Sequence, residues 1–314
     1  MSNAAGDYLA AALAIMERHA MHRDRIDWTA LRVASVRRAA GAVTPADTYD
    51  TIRWALTQLE DRHSFFNPPE RGEAAMARGE CDRDATIPSG HLRTDRIACV
   101  AVPGFLGSAP HGTRYADALQ RHIAELDAAD PVGWMIDLTG NWGGNMWPML
   151  AGLGPLLGEG PLGSFVFPHF PPAVWSYRAG QAWLGDGAQA QASHGGYRLR
   201  TPAQPVALLM TARTASSGEA VVIAFSGRPD TRRFGTATRG LTTANDGFPM
   251  PDGATLWVTT GTYADQQGRV YGQAIEPDQD VDGDGGQVQT HAAAWIHAAG
   301  QAEESVPRIS STNG

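Results

Sequence analysis

The 314-residue chain is 43% hydrophobic and 18% charged, enough apolar sequence for a buried core and the mix of an ordinary globular protein. A formal net charge of −8 and a pI near 5.6 argue against nucleic acid or an anionic membrane surface as the main partner. All 25 basic residues are arginine, which excludes any chemistry that needs a lysine side chain.

Helical spacing of Leu9, Leu13, Met16 and Ala20 predicts an amphipathic helix over about residues 7–22, and Asp27 opens a second. A third starts at Thr44 as N-cap, with Pro45 in the first helical position and Asp47 completing a capping box; its apolar face is Ile52, Ala55, Leu56 and Leu59. Residues 1–66 are therefore read as a small helical domain. Residues 67–95 are polar, rich in Pro, Gly and charge, and read as a connecting loop.

From Arg96 onward strands and helices alternate. Ile97–Val102 and Val132–Leu138 read as strands, and helices are marked by Tyr115, Leu119, Ile123 and Leu126 and by Met149, Leu150, Leu153 and Leu157. This pattern predicts an α/β core over residues 96–290 with helices on a mainly parallel sheet. Residues 158–205 hold Phe165, Phe167, Phe170, Trp175, Tyr177, Trp183 and Tyr197 without a clean period; short strands over a sheet edge or the wall of an apolar groove both fit. Val206–Met210 is a buried-type strand, followed by Thr214-Ala215-Ser216-Ser217-Gly218-Glu219 and an apolar helix. A hairpin of Thr255–Thr260 with Val270–Ala274 is expected next. Residues 291–314 read as a helix and a disordered tail.

Cys81 and Cys99 have no metal-type spacing. Asp278 to Gly283 opens like a calcium loop, but the twelfth position is Gln289 and lacks a bidentate carboxylate, so the stretch reads as an acidic turn. No metal and no cofactor are expected. Nothing reads as a signal or a membrane span, so the expected location is cytoplasmic.

A serine where a strand turns into a helix sits near free N–H groups and the positive end of a helix dipole, a setting that suits a nucleophile whose attack creates an oxyanion. Serine is also a favoured N-cap without any chemistry. Two further pieces fit a hydrolase: His63 after the third helix and the Gly143-Gly144 turn after a strand.

Together these segments resemble the S41 serine peptidases, the family of C-terminal processing and tricorn-type proteases. Asp137-Leu138-Thr139-Gly140-Asn141-Trp142-Gly143-Gly144 is similar to the family's D-L-R-x-N-x-G-G element, and Ser216 falls in the nucleophile position. Gly272 to Asp278, ending Ala274-Ile275-Glu276-Pro277-Asp278, resembles its closing G-x-x-P-D strand, and Leu59-Glu60-Asp61-Arg62-His63-Ser64 its D-x-H-[ST] element. The resemblance covers roughly residues 45–285 and implies a ClpP/crotonase-like core behind a helical domain, without a PDZ domain. Processing proteases of the family place a catalytic lysine in an F-G-K-G loop; here that loop reads Arg239-Gly240-Leu241-Thr242.

The resemblance thus implies a serine hydrolase of tail-specific-protease type in which Ser216 attacks and His63 is the base, with the N–H groups of Gly143, Gly144 and Ser217 holding the oxyanion. Its partner would be a peptide or small acyl substrate, with the oligomeric state left open. The tricorn-like branch orients its histidine with a Glu near the position of Tyr271, so Tyr271 is the first candidate here, with Ser64 as a possible bridge to an acid. The rival readings are an impaired S41-fold protein that binds peptides or small apolar ligands, and an enzyme of non-peptide acyl chemistry.

Overall fold

In the computed structural model, which describes residues 1–69, 87–283 and 285–304, the chain opens with α1 (Asn3–His19) and α2 (Trp28–Arg38). Asp27 caps α2 by accepting the Ala30 N–H at 2.9 Å. A 3₁₀ turn, Pro45–Thr48, leads into α3 (Tyr49–Thr57). Asp47 takes the N–H groups of Thr44 at 2.8 Å and Val43 at 3.0 Å, as the capping-box spacing predicts. Then follow β1 (Phe65–Asn67), β2 (Ser89–Leu92), β3 (Ile97–Ala101), α4 (Ala109–Ala128), β4 (Gly133–Asp137) and α5 (Met146–Leu157). Four strands come next: β5 (Gly160–Val166), β6 (Ala173–Arg178), β7 (Gln181–Leu184) and β8 (Gly187–Gln191). The remainder is β9 (Val206–Met210), α6 (Ser217–Ala224), β10 (Thr231–Gly235), β11 (Thr243–Pro249), β12 (Thr255–Ala264), β13 (Gln279–Asp280) and α7 (Gly285–Glu304). Cys81, most of the expected connecting loop and the expected disordered tail lie outside the described residues.

The chain divides into two compact units. Of the described residues, one takes 1–69, 165–172 and 243–263; the other takes 87–164, 173–242, 264–283 and 285–304. The helical unit therefore recruits later segments of the chain besides its first residues. Its core joins Leu9, Leu13 and Met16 of α1 and Ile52 and Leu56 of α3 to Leu256 and Val258 of β12. β12 pairs antiparallel with β11, and its first residues also pair with β1. Asp252, in the turn between β11 and β12, accepts both Tyr8 Oη at 2.8 Å and Tyr49 Oη at 2.5 Å, fastening this hairpin to the helices.

The second unit is an α/β fold, as the alternating pattern predicts. Its sheet has the order β13-β10-β9-β4-β3-β2. β3, β4, β9 and β10 run parallel, and β2 is antiparallel to β3. Every residue of β9 is buried, which fits its unbroken apolar run. On one face Ile296 and Ala292 of α7 pack against Met135, Leu209 and Phe234. A separate antiparallel ribbon is formed by β6, β7 and β8.

One expectation fails and another is decided. The hairpin of 255–260 with 270–274 does not form; β12 takes its partner upstream in β11, and only an isolated bridge joins Ala264 to Val270. Of the two readings of residues 158–205, the short strands form, as β5 to β8, and Trp175 and Tyr177 are buried, 0% and 2% exposed.

Candidate active site

β9 ends at Met210, and the turn that follows is stitched to the end of β4. The buried Thr214 hydroxyl donates to Leu138 O at 2.8 Å, Thr211 Oγ1 donates to Thr139 O at 3.0 Å, and Ala215 N donates to Asn141 O at 2.9 Å. Ser216 then takes φ 52° and ψ −114°, outside the regions open to residues with a Cβ, and α6 starts at once. Such strain persists only where the surroundings over-determine it, and it concentrates at functional residues.

Glu219 supplies much of that determination. Its buried carboxylate accepts Ser216 N at 2.8 Å, Gly240 N at 2.8 Å, Leu241 N at 2.8 Å and the Thr238 hydroxyl at 2.5 Å. Burial pushes the Glu219 carboxyl up, and these four donors pull it back toward the ionised form.

The Gly143-Gly144 turn lies against this serine. Gly143 has φ 106°, and a Cβ there would sit 2.8 Å from both Ala215 O and Ser216 Cβ, so only glycine permits the approach. The turn is built by Asn141, whose buried side chain donates to Val102 O at 3.0 Å and accepts Gly143 N at 3.0 Å. The Gly143 N–H, expected to hold an oxyanion, is engaged by the Asn141 side chain inside the turn. Among the described residues no acceptor meets Gly144 N–H, and Ser217 N–H heads α6, where the first N–H groups have no helical partner. The Ser217 hydroxyl has its own task, donating to Gly144 O at 2.6 Å.

The model of peptidase family S41 matches residues 96–281, more than half of the chain. The protein belongs to peptidase family S41. It is 26% identical over 290 residues to a nisin-resistance protein of Lactococcus lactis subsp. lactis, covering 92% of this chain and 86% of that one. A lipoprotein from Streptococcus agalactiae shares the fold with a TM-score of 0.76 at 22% identity, covering 95% of this chain and 98% of that one. The photosystem II D1 C-terminal processing protease shares it with a TM-score of 0.59 at 15% identity, covering 93% and 98%.

In this S41 chain the closing P-D element is structural. Asp278 accepts Arg233 N at 2.8 Å, Nε at 3.0 Å and Nη2 at 2.5 Å, and Arg233 holds the Asp278 carboxyl below the usual range against the opposing pull of burial. The Arg239 loop is fastened to the same segment, for Ile275 N donates to Thr238 Oγ1 at 2.8 Å and Gly272 N to Thr242 Oγ1 at 2.7 Å.

His63, in the helical unit, sits in a turn organised by Asp61. That carboxylate accepts His63 N at 2.9 Å, Ser64 N at 2.6 Å, Ser64 Oγ at 2.7 Å and Thr259 Oγ1 at 3.0 Å. Asn245 Nδ2 holds the His63 carbonyl at 2.7 Å. Burial pushes the imidazole down to about 4 against the upward pull of Asp61.

The two residues expected to orient the ring do other work. Tyr271 Oη donates to Asp265 Oδ2 at 3.0 Å and lies 3.5 Å from Ser226 Oγ, while Ser64 secures the turn through Asp61 and Thr259 N. Instead, the His63 Nδ1 partner is Thr243 Oγ1 at 2.7 Å. Sequence reasoning missed Thr243 because 180 residues separate the pair. Asn141 did carry a signal, as the Asn of the D-L-x-x-N element.

Proposed function

We propose that this S41 chain is a serine peptidase of Ser–His type. Ser216 attacks the scissile carbonyl while His63 Nε2 takes its proton and later passes that proton to the leaving amine. Gly144 N–H and Ser217 N–H receive the oxyanion, and Gly143 serves as the glycine that lets the turn approach the serine. The chain's 25 basic residues include no lysine, so the proton acceptor is an imidazole and not an amine. The observation that carries the reading is Ser216 itself, held at φ 52° at the head of a buried helix with its own N–H fastened to Glu219.

The test is labelling with a fluorophosphonate probe followed by peptide mass spectrometry, together with hydrolysis of a peptide panel that includes nisin. Ser216 should carry the label, and Ser216→Ala and His63→Ala should each lose most turnover. Hydrolysis that survives Ser216→Ala overturns the assignment. One observation favours a second reading, that of a peptide-binding protein without turnover: the ring partner of His63 is a neutral hydroxyl and not a carboxylate. Peptide binding with no label on Ser216 would support that reading.

A further inference from the structure

A general-base histidine works only in one tautomer: Nε2 must offer its lone pair, so Nδ1 must carry the hydrogen and an acceptor must hold it. We propose that Thr243 is the positioning residue for His63, its hydroxyl accepting the Nδ1 hydrogen in the place where serine hydrolases ordinarily put a carboxylate. The inference rests on reading His63 as the base.

Both ends of this contact are fixed. Thr243 is 8% exposed and lies in register opposite Thr262 within the β11–β12 pair. Its Oγ1 is 2.7 Å from Nδ1, a short hydrogen bond. The same strand grips the histidine a second time, through Asn245 Nδ2 on the His63 carbonyl at 2.7 Å. On its other side the His63 N–H is tied to Asp61, whose four donors leave that carboxylate no freedom to swing onto the ring. A hydroxyl can donate or accept, so the contact fits a hydrogen on Nδ1, the tautomer that a base at Nε2 needs.

A hydroxyl in this position orients the ring but brings no charge. A carboxylate stands in the same turn: Asp61 accepts the His63 main-chain N–H at 2.9 Å, and its charge favours a proton on the ring. Orientation and charge compensation, joined in one side chain in a Ser-His-Asp triad, are divided here between Thr243 and Asp61.

The experiment compares Thr243→Val, which keeps shape and loses the hydroxyl, with Thr243→Ser, which keeps the hydroxyl. In the full chain labelled with ¹⁵N-histidine, the His63 resonances, assigned by their loss in His63→Gln, should report hydrogen on Nδ1 in the wild type and in Thr243→Ser. In Thr243→Val that signature should be lost, kcat should fall on the order of 10- to 100-fold, and KM should hold within about twofold. A wild-type spectrum with bare Nδ1, or a Thr243→Val enzyme with unchanged kcat and tautomer, overturns the proposal. So does a Thr243→Ser that fails to restore the tautomer. The spectra are readable without turnover: hydrolysis that survives His63→Ala would sink the base assignment, while the spectra would still decide whether Thr243 holds Nδ1.

Discussion

Replacing Ser216 by glycine should make the protein more stable than replacing it by alanine, the reverse of the usual order. At ordinary backbone angles glycine is less stable than alanine by about 0.5–1 kcal/mol, because it loses more freedom on folding. At φ 52° and ψ −114° a residue with a Cβ carries strain of roughly 1–3 kcal/mol. Glycine relieves that strain and alanine retains it, which leaves a net advantage for Ser216→Gly of about 0–2.5 kcal/mol. Part of this is offset by the loss of the Ser216 Cβ that Gly143 packs against. Both variants lack the Ser216 hydroxyl, so reaction at that group does not disturb the comparison. Thermal melts and urea titrations at neutral pH, run side by side, supply the measurement. For a chain of this size the gap corresponds to a few degrees in Tm at most, and its sign is the decisive quantity. If Ser216→Ala proves more stable than Ser216→Gly, the serine is not strained and the argument built on it falls.

Two further outcomes are expected. His63 binds its proton less readily when folded, so the unfolded chain protonates near its ordinary 6.5 while the folded chain waits until about 4. Stability should be unaffected by this group above that window and should fall by about 3 kcal/mol as pH drops through it, a slope that His63→Gln should flatten; the acid limb of kcat/KM should likewise lie nearer 4 than 6.5. A profile breaking at 6.5 or above would show that burial does not control the ring. Gly143→Ala puts a Cβ 2.8 Å from Ala215 O and Ser216 Cβ at φ 106°, so both melting temperature and probe labelling of Ser216 should drop, by roughly 1–3 kcal/mol in stability. Full labelling with wild-type melting would refute the close approach.

What could be read from sequence was local. Asp27, Thr44 and Asp47 announce their helices because capping contacts span three residues, and the turn at Ser216 shows itself as an apolar strand run into an apolar helix. The contacts that decide chemistry here are long-range or made by side chains whose direction no pattern gives. Thr243 reaches His63 across 180 residues. Tyr271 occupies a plausible sequence position but turns to Asp265. Gly143 has the flexibility an oxyanion donor needs, yet Asn141, two residues earlier, claims its N–H. Strand pairing misled for a similar reason: 255–264 has a suitable apolar alternation, and nothing in it says whether its partner lies before or after it.

The carboxylate of Glu219 ties the geometry of Ser216 to that of a loop beyond the next strand. The loop that carries a lysine in processing relatives is here bolted to α6, with Gly240 N and Leu241 N both turned toward Glu219. The same carboxylate accepts Ser216 N at 2.8 Å, so a change that pulled this loop away from the helix would also loosen the N–H that fixes the serine's backbone. Loop and serine share one anchor.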